Sequence, residues 1–166
     1  MAGPRVTADD VARLLREQAT PRPDGTPPPS IVLLAELPGT SDGSFVGCIE
    51  VTTTDAAAAV AAADHPPRDG YLGMLAVAPQ CGSQGIGRAL VAAGERLSRE
   101  VYGAAAVVLF VLSVRDDILR WYERRGYART GLRTEAACLI ANIQQDAKLL
   151  VDADFVILRR VLPPAP

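Results

Sequence analysis

A chain of 166 residues, 49% hydrophobic and 22% charged, has the length and apolar content for one self-sufficient core. Its formal net charge of −2 gives no field that would gather phosphates, so nucleic acid is excluded as an expected partner. Three widely spaced cysteines (Cys48, Cys81, Cys138) and a single histidine, His65, indicate neither a disulfide framework nor a zinc site, so no metal is expected.

The opening residues Met1–Asp10 lack a basic-then-apolar signal sequence, and no apolar run approaches the roughly 18 residues that cross a bilayer. A cytoplasmic protein without a membrane partner is expected. Thr7, Asp9 and Asp10 supply capping oxygen and negative charge before Val11, Leu14 and Leu15, whose spacing predicts a short helix ending near Gln18. Residues 20–30 (TPRPDGTPPPS) are too rich in proline for a helix or a central strand and read as a linker. Ile31–Glu36 and Phe45–Val51 are apolar runs of strand length separated by Gly39, Asp42 and Gly43, and predict a hairpin. Residues 52–70 combine TTT, an alanine tract and HPPRDG, compatible with either a short helix or a long loop.

Tyr71–Val77 reads as a third strand, residues 85–101 as a helix, Ala105–Leu112 as a buried strand, Asp116–Arg125 as a helix and Tyr127–Arg133 as a strand. The first of these helices carries Ile86, Leu90, Ala93, Leu97 and Val101 at spacings of three and four, the signature of one apolar face. Residues 135–151 read as an atypical helical insert, and Phe155–Leu162 as a last strand. One domain over residues 1–166 is expected, of α/β class, with a mixed, mostly antiparallel twisted sheet flanked by helices.

The stretch from Leu72 to Leu90 runs strand, glycine turn, helix. Such a turn is a phosphate cradle: the first helical amides have no intrahelical acceptor, the positive end of the helix dipole faces outward, and glycines let backbone approach an anion. Gly82 to Gly87 has P-loop spacing, but Arg88 and Ala89 stand where the phosphate lysine and the magnesium-binding hydroxyl are needed, which argues against nucleotide hydrolysis. Gly85-Ile-Gly87 opens a dinucleotide fingerprint, yet Leu90 occupies the third glycine position, which argues against a Rossmann dehydrogenase. A turn that merely folds a helix back on a strand is the bland alternative.

Val77-Ala-Pro79 before GSQGIGRAL resembles the acetyl-CoA motif of the GNAT (Gcn5-related) N-acetyltransferase superfamily, Q/R-x-x-G-x-G/A after a V-x-P step. Trp121-Tyr-Glu-Arg-Arg-Gly-Tyr127 resembles that family's second signature, a tyrosine four residues before Gly-Phe or Gly-Tyr. The resemblance covers residues 31–134 and implies an acyl-CoA N-acyltransferase that moves the acetyl group of acetyl-CoA to a primary amine of a small molecule or peptide. It implies backbone contacts to the acetyl and pantetheine portion from Leu75, Ala76 and Val77. It implies diphosphate contacts from Gly82, Ser83, Gln84, Gly85, Ile86, Gly87 and Arg88, further cofactor contacts from Ser113 and Arg115, and Tyr122 as the acid for the leaving thiolate.

The chain departs from that pattern in two places. Gly82 replaces the usual Gln or Arg, and Arg115 replaces a frequent asparagine. Only one helix is predicted before residue 31, so the family's N-terminal strand and first helix are expected to be absent, and an uncovered edge would favour a homodimer. Strand alternation makes Glu50 the candidate base, with a water relay as the equal alternative. Loss of catalysis would leave a non-catalytic acyl-CoA-binding regulatory module, the competing reading. The acceptor amine is not legible in the sequence.

Overall fold

The computed structural model describes residues 15–20, 22–37, 45–54, 69–135 and 153–164. The capping residues 7–10, most of the segment 52–70 with His65, and the insert 135–151 with Cys138 lie largely or wholly outside them. Residues 15–19 are helical (α1). Gln18 takes the place of a neighbouring strand at one point: its Oε1 accepts the Val32 amide at 2.6 Å and its Nε2 donates to the Val32 carbonyl at 3.4 Å.

Six strands follow: β1 (Ser30–Glu36), β2 (Phe45–Thr53), β3 (Gly70–Val77), β4 (Ala106–Leu112), β5 (Ala128–Glu135) and β6 (Asp154–Val161). Between them lie α2 (Ile86–Tyr102) and α3 (Asp116–Glu123). The sheet order is β1-β2-β3-β4-β6-β5, with β3–β4 as its parallel pair and the other described pairs antiparallel. The parallel pair needs a crossover, and α2 supplies it. The expected mixed, mostly antiparallel sheet flanked by helices is what the chain forms.

Alternation sends Ile49 and Val51 of β2 and Leu72 of β3 toward α2, whose Leu90, Val91 and Gly94 pack on them. At Gly94 helix and sheet approach closely: a Cβ there would stand 2.9 Å from Leu72 and 3.4 Å from Val51. The same core continues through Val107, Leu109, Val111, Val156 and Leu158 to Leu119, Tyr122 and Tyr127. Helix α2 ends where expected, at Gly103 in the left-handed conformation (φ 66°), whose amide bonds to the Arg99 carbonyl.

Two ion pairs tie distant segments together. Arg159 of β6 holds Asp69 with Nε at 2.7 Å and Nη2 at 3.3 Å. Arg160 grips both carboxylate oxygens of Glu95 on α2, and Tyr127 donates its hydroxyl to the same carboxylate at 2.8 Å. Charge-assisted pairs of this kind are directional and fix which face each β6 side chain occupies.

Candidate active site

Strands β3 and β4 pair only at Gly70↔Val107 and Tyr71↔Val108. Beyond these, β3 runs on to Val77 and β4 to Leu112, so a wedge opens between them. The cause is a bulge. Between Gly73 and Ala76, β3 carries Met74 and Leu75 where β2 has only Ile49 between Cys48 and Glu50. Met74 takes up the extra residue in a left-handed conformation (φ 51°), and a bulge bends the strand that carries it. Past Tyr71 the β3 edge that looks away from β2 therefore faces the wedge, while Ala76 and Val77 stay in register with Cys48 and Gly47 of β2 on the other side. Leu75 and Val77 lean on the core, while Ala76 is exposed.

The turn after β3 is pinned at its root. Ala78 donates its amide to Val46 at 2.8 Å, a short 3-10 turn spans Pro79–Cys81, and Cys81 is buried. From there the chain climbs through Gly82, Ser83 (φ 63°) and Gln84 to Gly85 (φ 81°), which starts α2. No side chain caps this helix and no acidic residue lies in its first turn. Its leading amides at Ile86, Gly87 and Arg88 thus keep the donor capacity and the positive dipole end that an anion needs. Gly85 requires glycine for its positive φ. Gly87 does not: a Cβ there would sit in ordinary contact with Val77 at 3.7 Å and Trp121 at 3.8 Å, which places this position where α2, β3 and α3 come together.

Helix α3 begins with Asp116 and Asp117, which suit the dipole of its N-terminus. It buries Leu119 and Tyr122. The Tyr122 ring meets Trp121 and Tyr127 edge-on, with centroids 4.8 and 5.3 Å away. Its hydroxyl has no hydrogen-bond partner among the described residues. Burial, and next the neighbouring Tyr71, push its proton loss far above the ordinary phenol range, so it stays protonated at any physiological pH.

Glu50 lies on the sheet face opposite α2. Its Oε1 accepts the Ser30 hydroxyl at 2.7 Å, and its Oε2 is 3.1 Å from where a Cβ on Gly73 would stand. Tyr71 reaches the same spot, its Cε1 2.9 Å from that position. Burial, reinforced by the Glu50 charge, raises the Tyr71 phenol to about 12. Tyr71 therefore adjoins Glu50 on this face, with its ring edge-on to Phe110 at 5.7 Å. Sequence reasoning missed it; the signal was Tyr71-x-Gly73 on one strand face, a large ring beside a residue with no side chain.

Two sequence-predicted residues have partners within the protein. The Ser113 amide donates to the Asp154 carbonyl at 2.7 Å and its hydroxyl accepts the Asp154 amide at 3.2 Å, extending the β4–β6 ladder. Arg115 forms a fork with the Asp117 carboxylate at 2.9 and 2.8 Å, and this fork holds Asp117 at about 2. Among the described residues no cluster of His, Cys, Asp and Glu has the geometry of a metal site, and no helix is long and apolar enough to cross a membrane.

The family model of the acetyltransferase (GNAT) family matches residues 9–127. No curated protein matches the chain in sequence. Among solved structures, nourseothricin acetyltransferase is 22% identical, with a TM-score of 0.59 over 82% of this chain and 67% of its own. An IAA acetyltransferase from Bacillus cereus ATCC 14579 is 14% identical, with a TM-score of 0.62 over 94% and 85%. A GNAT family acetyltransferase from Elizabethkingia anophelis with acetyl-CoA bound is also 14% identical, with a TM-score of 0.60 over 94% and 84%. At these identities the structural likeness is one of fold, and the family assignment rests on the sequence match. Since that match takes in β1 to α3, the wedge, the glycine turn and Tyr122 together, the chain belongs to the GNAT acetyltransferase family.

Proposed function

We propose that the protein transfers the acetyl group of acetyl-CoA to a primary amine of a small molecule or peptide by direct attack in a ternary complex. The observation that carries this reading is the continuous path from the β3–β4 wedge to the uncapped start of α2. A long, thin ligand with an acyl thioester at one end and a diphosphate further along fits a wedge that ends in a cradle of amides. Acetyl-CoA is such a ligand, and its presence in the Elizabethkingia anophelis neighbour supports the choice.

In this reading the amides of the Leu75–Val77 stretch that point into the wedge orient the acyl group and stabilise the negative charge that develops on its oxygen. The amides from Gly82 to Arg88 take the diphosphate. The amine nitrogen forms its bond to the acyl carbon as the carbon–sulfur bond breaks. Tyr122, held protonated by burial, gives its proton to the departing sulfur, and Glu50, directly or through water, accepts the proton that the amine sheds. The engagement of Ser113 and Arg115 with Asp154 and Asp117 leaves them supporting roles at the rim of the wedge. One acyltransferase domain in a cytoplasmic setting, as a homodimer, belongs to the same proposal.

The test has two stages. Acetyl-CoA is expected to raise the melting temperature by mass action, and Gly87→Glu to abolish that rise, since it sets a carboxylate into the crevice between Val77 and Trp121 at the helix start. A folded Gly87→Glu protein with the full shift overturns the cradle. A screen of small amines, amino acids and peptide N-termini, followed by release of free thiol, then identifies the acceptor. Acetyl-CoA binding without thiol release for any amine would favour a binding module instead.

A further inference from the structure

The arginines around α3 and β6 fall into two groups. Arg115, Arg129, Arg133, Arg159 and Arg160 face Asp117, Glu123, Asp154, Asp69 and Glu95. Arg88, Arg120, Arg124 and Arg125 have no acidic partner among the described residues. The Arg125 guanidinium lies 3.5 Å from the centre of the Trp121 ring, and its Nη1 donates to the Trp121 carbonyl at 2.7 Å. Trp121 in turn touches the first turn of α2, where Arg88 follows Gly87. The Arg125 Nε is buried against the ring without an acceptor. Burial, and then the charges of Arg124 and Arg88, make the Arg125 proton easier to lose than usual.

The stack on the indole holds the guanidinium in place, but a buried Nε without an acceptor, within the field of a second arginine, is costly unless an anion offsets it. The diphosphate already has the α2 amides. The remaining anionic group of coenzyme A is a phosphomonoester on the ribose, whose oxygens match the arginine fork. We propose that Arg125, stacked on Trp121, and Arg88 form a second phosphate site that takes the ribose 3′-phosphate and selects coenzyme A over its dephosphorylated form. This rests on the acetyl-CoA reading above and deepens it.

Calorimetric titration of the parent, Arg125→Gln and Arg88→Gln with acetyl-CoA and with acetyl-3′-dephospho-CoA separates the cases. The parent is expected to prefer acetyl-CoA by about tenfold or more, the scale of one charge-assisted hydrogen bond. Each variant keeps the backbone amides that take the diphosphate and is expected to lose most of that preference. Arg88 is exposed, so its variant keeps the test clean if Arg125→Gln unsettles the Trp121 stack. A parent that binds both ligands equally overturns the second site. Variants that lose affinity equally for both ligands overturn it too, and assign these arginines to the diphosphate. A parent that binds neither ligand overturns the acetyl-CoA reading, and this site with it.

Discussion

Two tyrosines five residues apart, both buried and both on the same aromatic cluster, separate catalysis from stability. Tyr122 is 6% exposed, its ring is held by Trp121 and Tyr127, and its hydroxyl bonds to nothing among the described residues. Tyr122→Phe keeps those ring contacts and loses no hydrogen bond within the protein. Its stability is expected to stay within about 1 kcal/mol of the parent. If the hydroxyl protonates the leaving sulfur, turnover falls by on the order of 10² to 10⁴, equivalent to roughly 3 to 5 kcal/mol of barrier.

Tyr127→Phe should behave in the opposite way. Its hydroxyl donates to the Glu95 carboxylate, and hydrogen bonds to charged groups contribute about 1.5 to 3 kcal/mol. Glu95 keeps Arg160 on both oxygens, so the lower half of that range applies. The melting temperature is expected to drop by roughly 3 to 6 °C, with turnover at a temperature well below the transition nearly unchanged. Paired melting curves and single-turnover thiol release with an identified amine measure both quantities. Full turnover in Tyr122→Phe, with chemistry limiting the rate, would refute the acid role and leave water or another group to protonate the sulfur.

Gly70→Ala should cost about 1 to 3 kcal/mol in urea unfolding, because its Cβ would stand 2.6 Å from Ser98 Oγ and 2.7 Å from Ser98 Cβ. Ser98→Ala should instead stabilise the fold by about 1 kcal/mol, since that hydroxyl is fully buried with no partner. Alkaline pH should unfold the protein through its phenols. Tyr71 and Tyr102 are raised to about 12 by burial and then by Glu50, against an unfolded value near 10, so their contribution is intact below pH 10 and lost as pH rises through 12. Melting temperature measured from pH 7 to 12 should fall above pH 10, and less steeply in Tyr71→Phe; an equally steep fall in that variant would count against the assignment.

The regular parts of this fold were legible because each carries its own periodicity. The apolar face read over residues 85–101 becomes α2 (Ile86–Tyr102), and the runs read as strands are strands to within a residue or two. Asp116-Asp117 marked the start of α3 for the same local reason, a carboxylate placed against a helix dipole. Roles that depend on register were not legible. Ser113 and Arg115 look like free polar residues in sequence, but Ser113 meets Asp154 across 41 positions once β4 and β6 pair. Tyr71 acquires its place beside Glu50 only when β2 and β3 align so that Glu50 faces Gly73. The insertion of β6 between β4 and β5 is likewise a choice made by the sheet as a whole.

The wedge was not legible in local propensity, and the reason lies in how its geometry is encoded. Where a left-handed residue serves a routine purpose, this chain uses glycine, as at the α2 ends Gly85 and Gly103 and in the turn at Gly126. At the bulge and in the turn that follows it, however, the left-handed residues are Met74 and Ser83. Each costs about 1 to 2 kcal/mol relative to an ordinary conformation. The surroundings hold them there: the β2–β3 ladder resumes on both sides of Met74, and Ala78 and the buried Cys81 anchor the approach to Ser83. A propensity reading sees a continuous strand through Met74, because nothing in the residue itself signals the bulge. The strain sits in the two places where β3 leaves its neighbour and where the chain turns toward α2. These are also the places where backbone amides must face a ligand instead of a strand, which is why a regular strand through Met74 would close the wedge that the proposed chemistry requires.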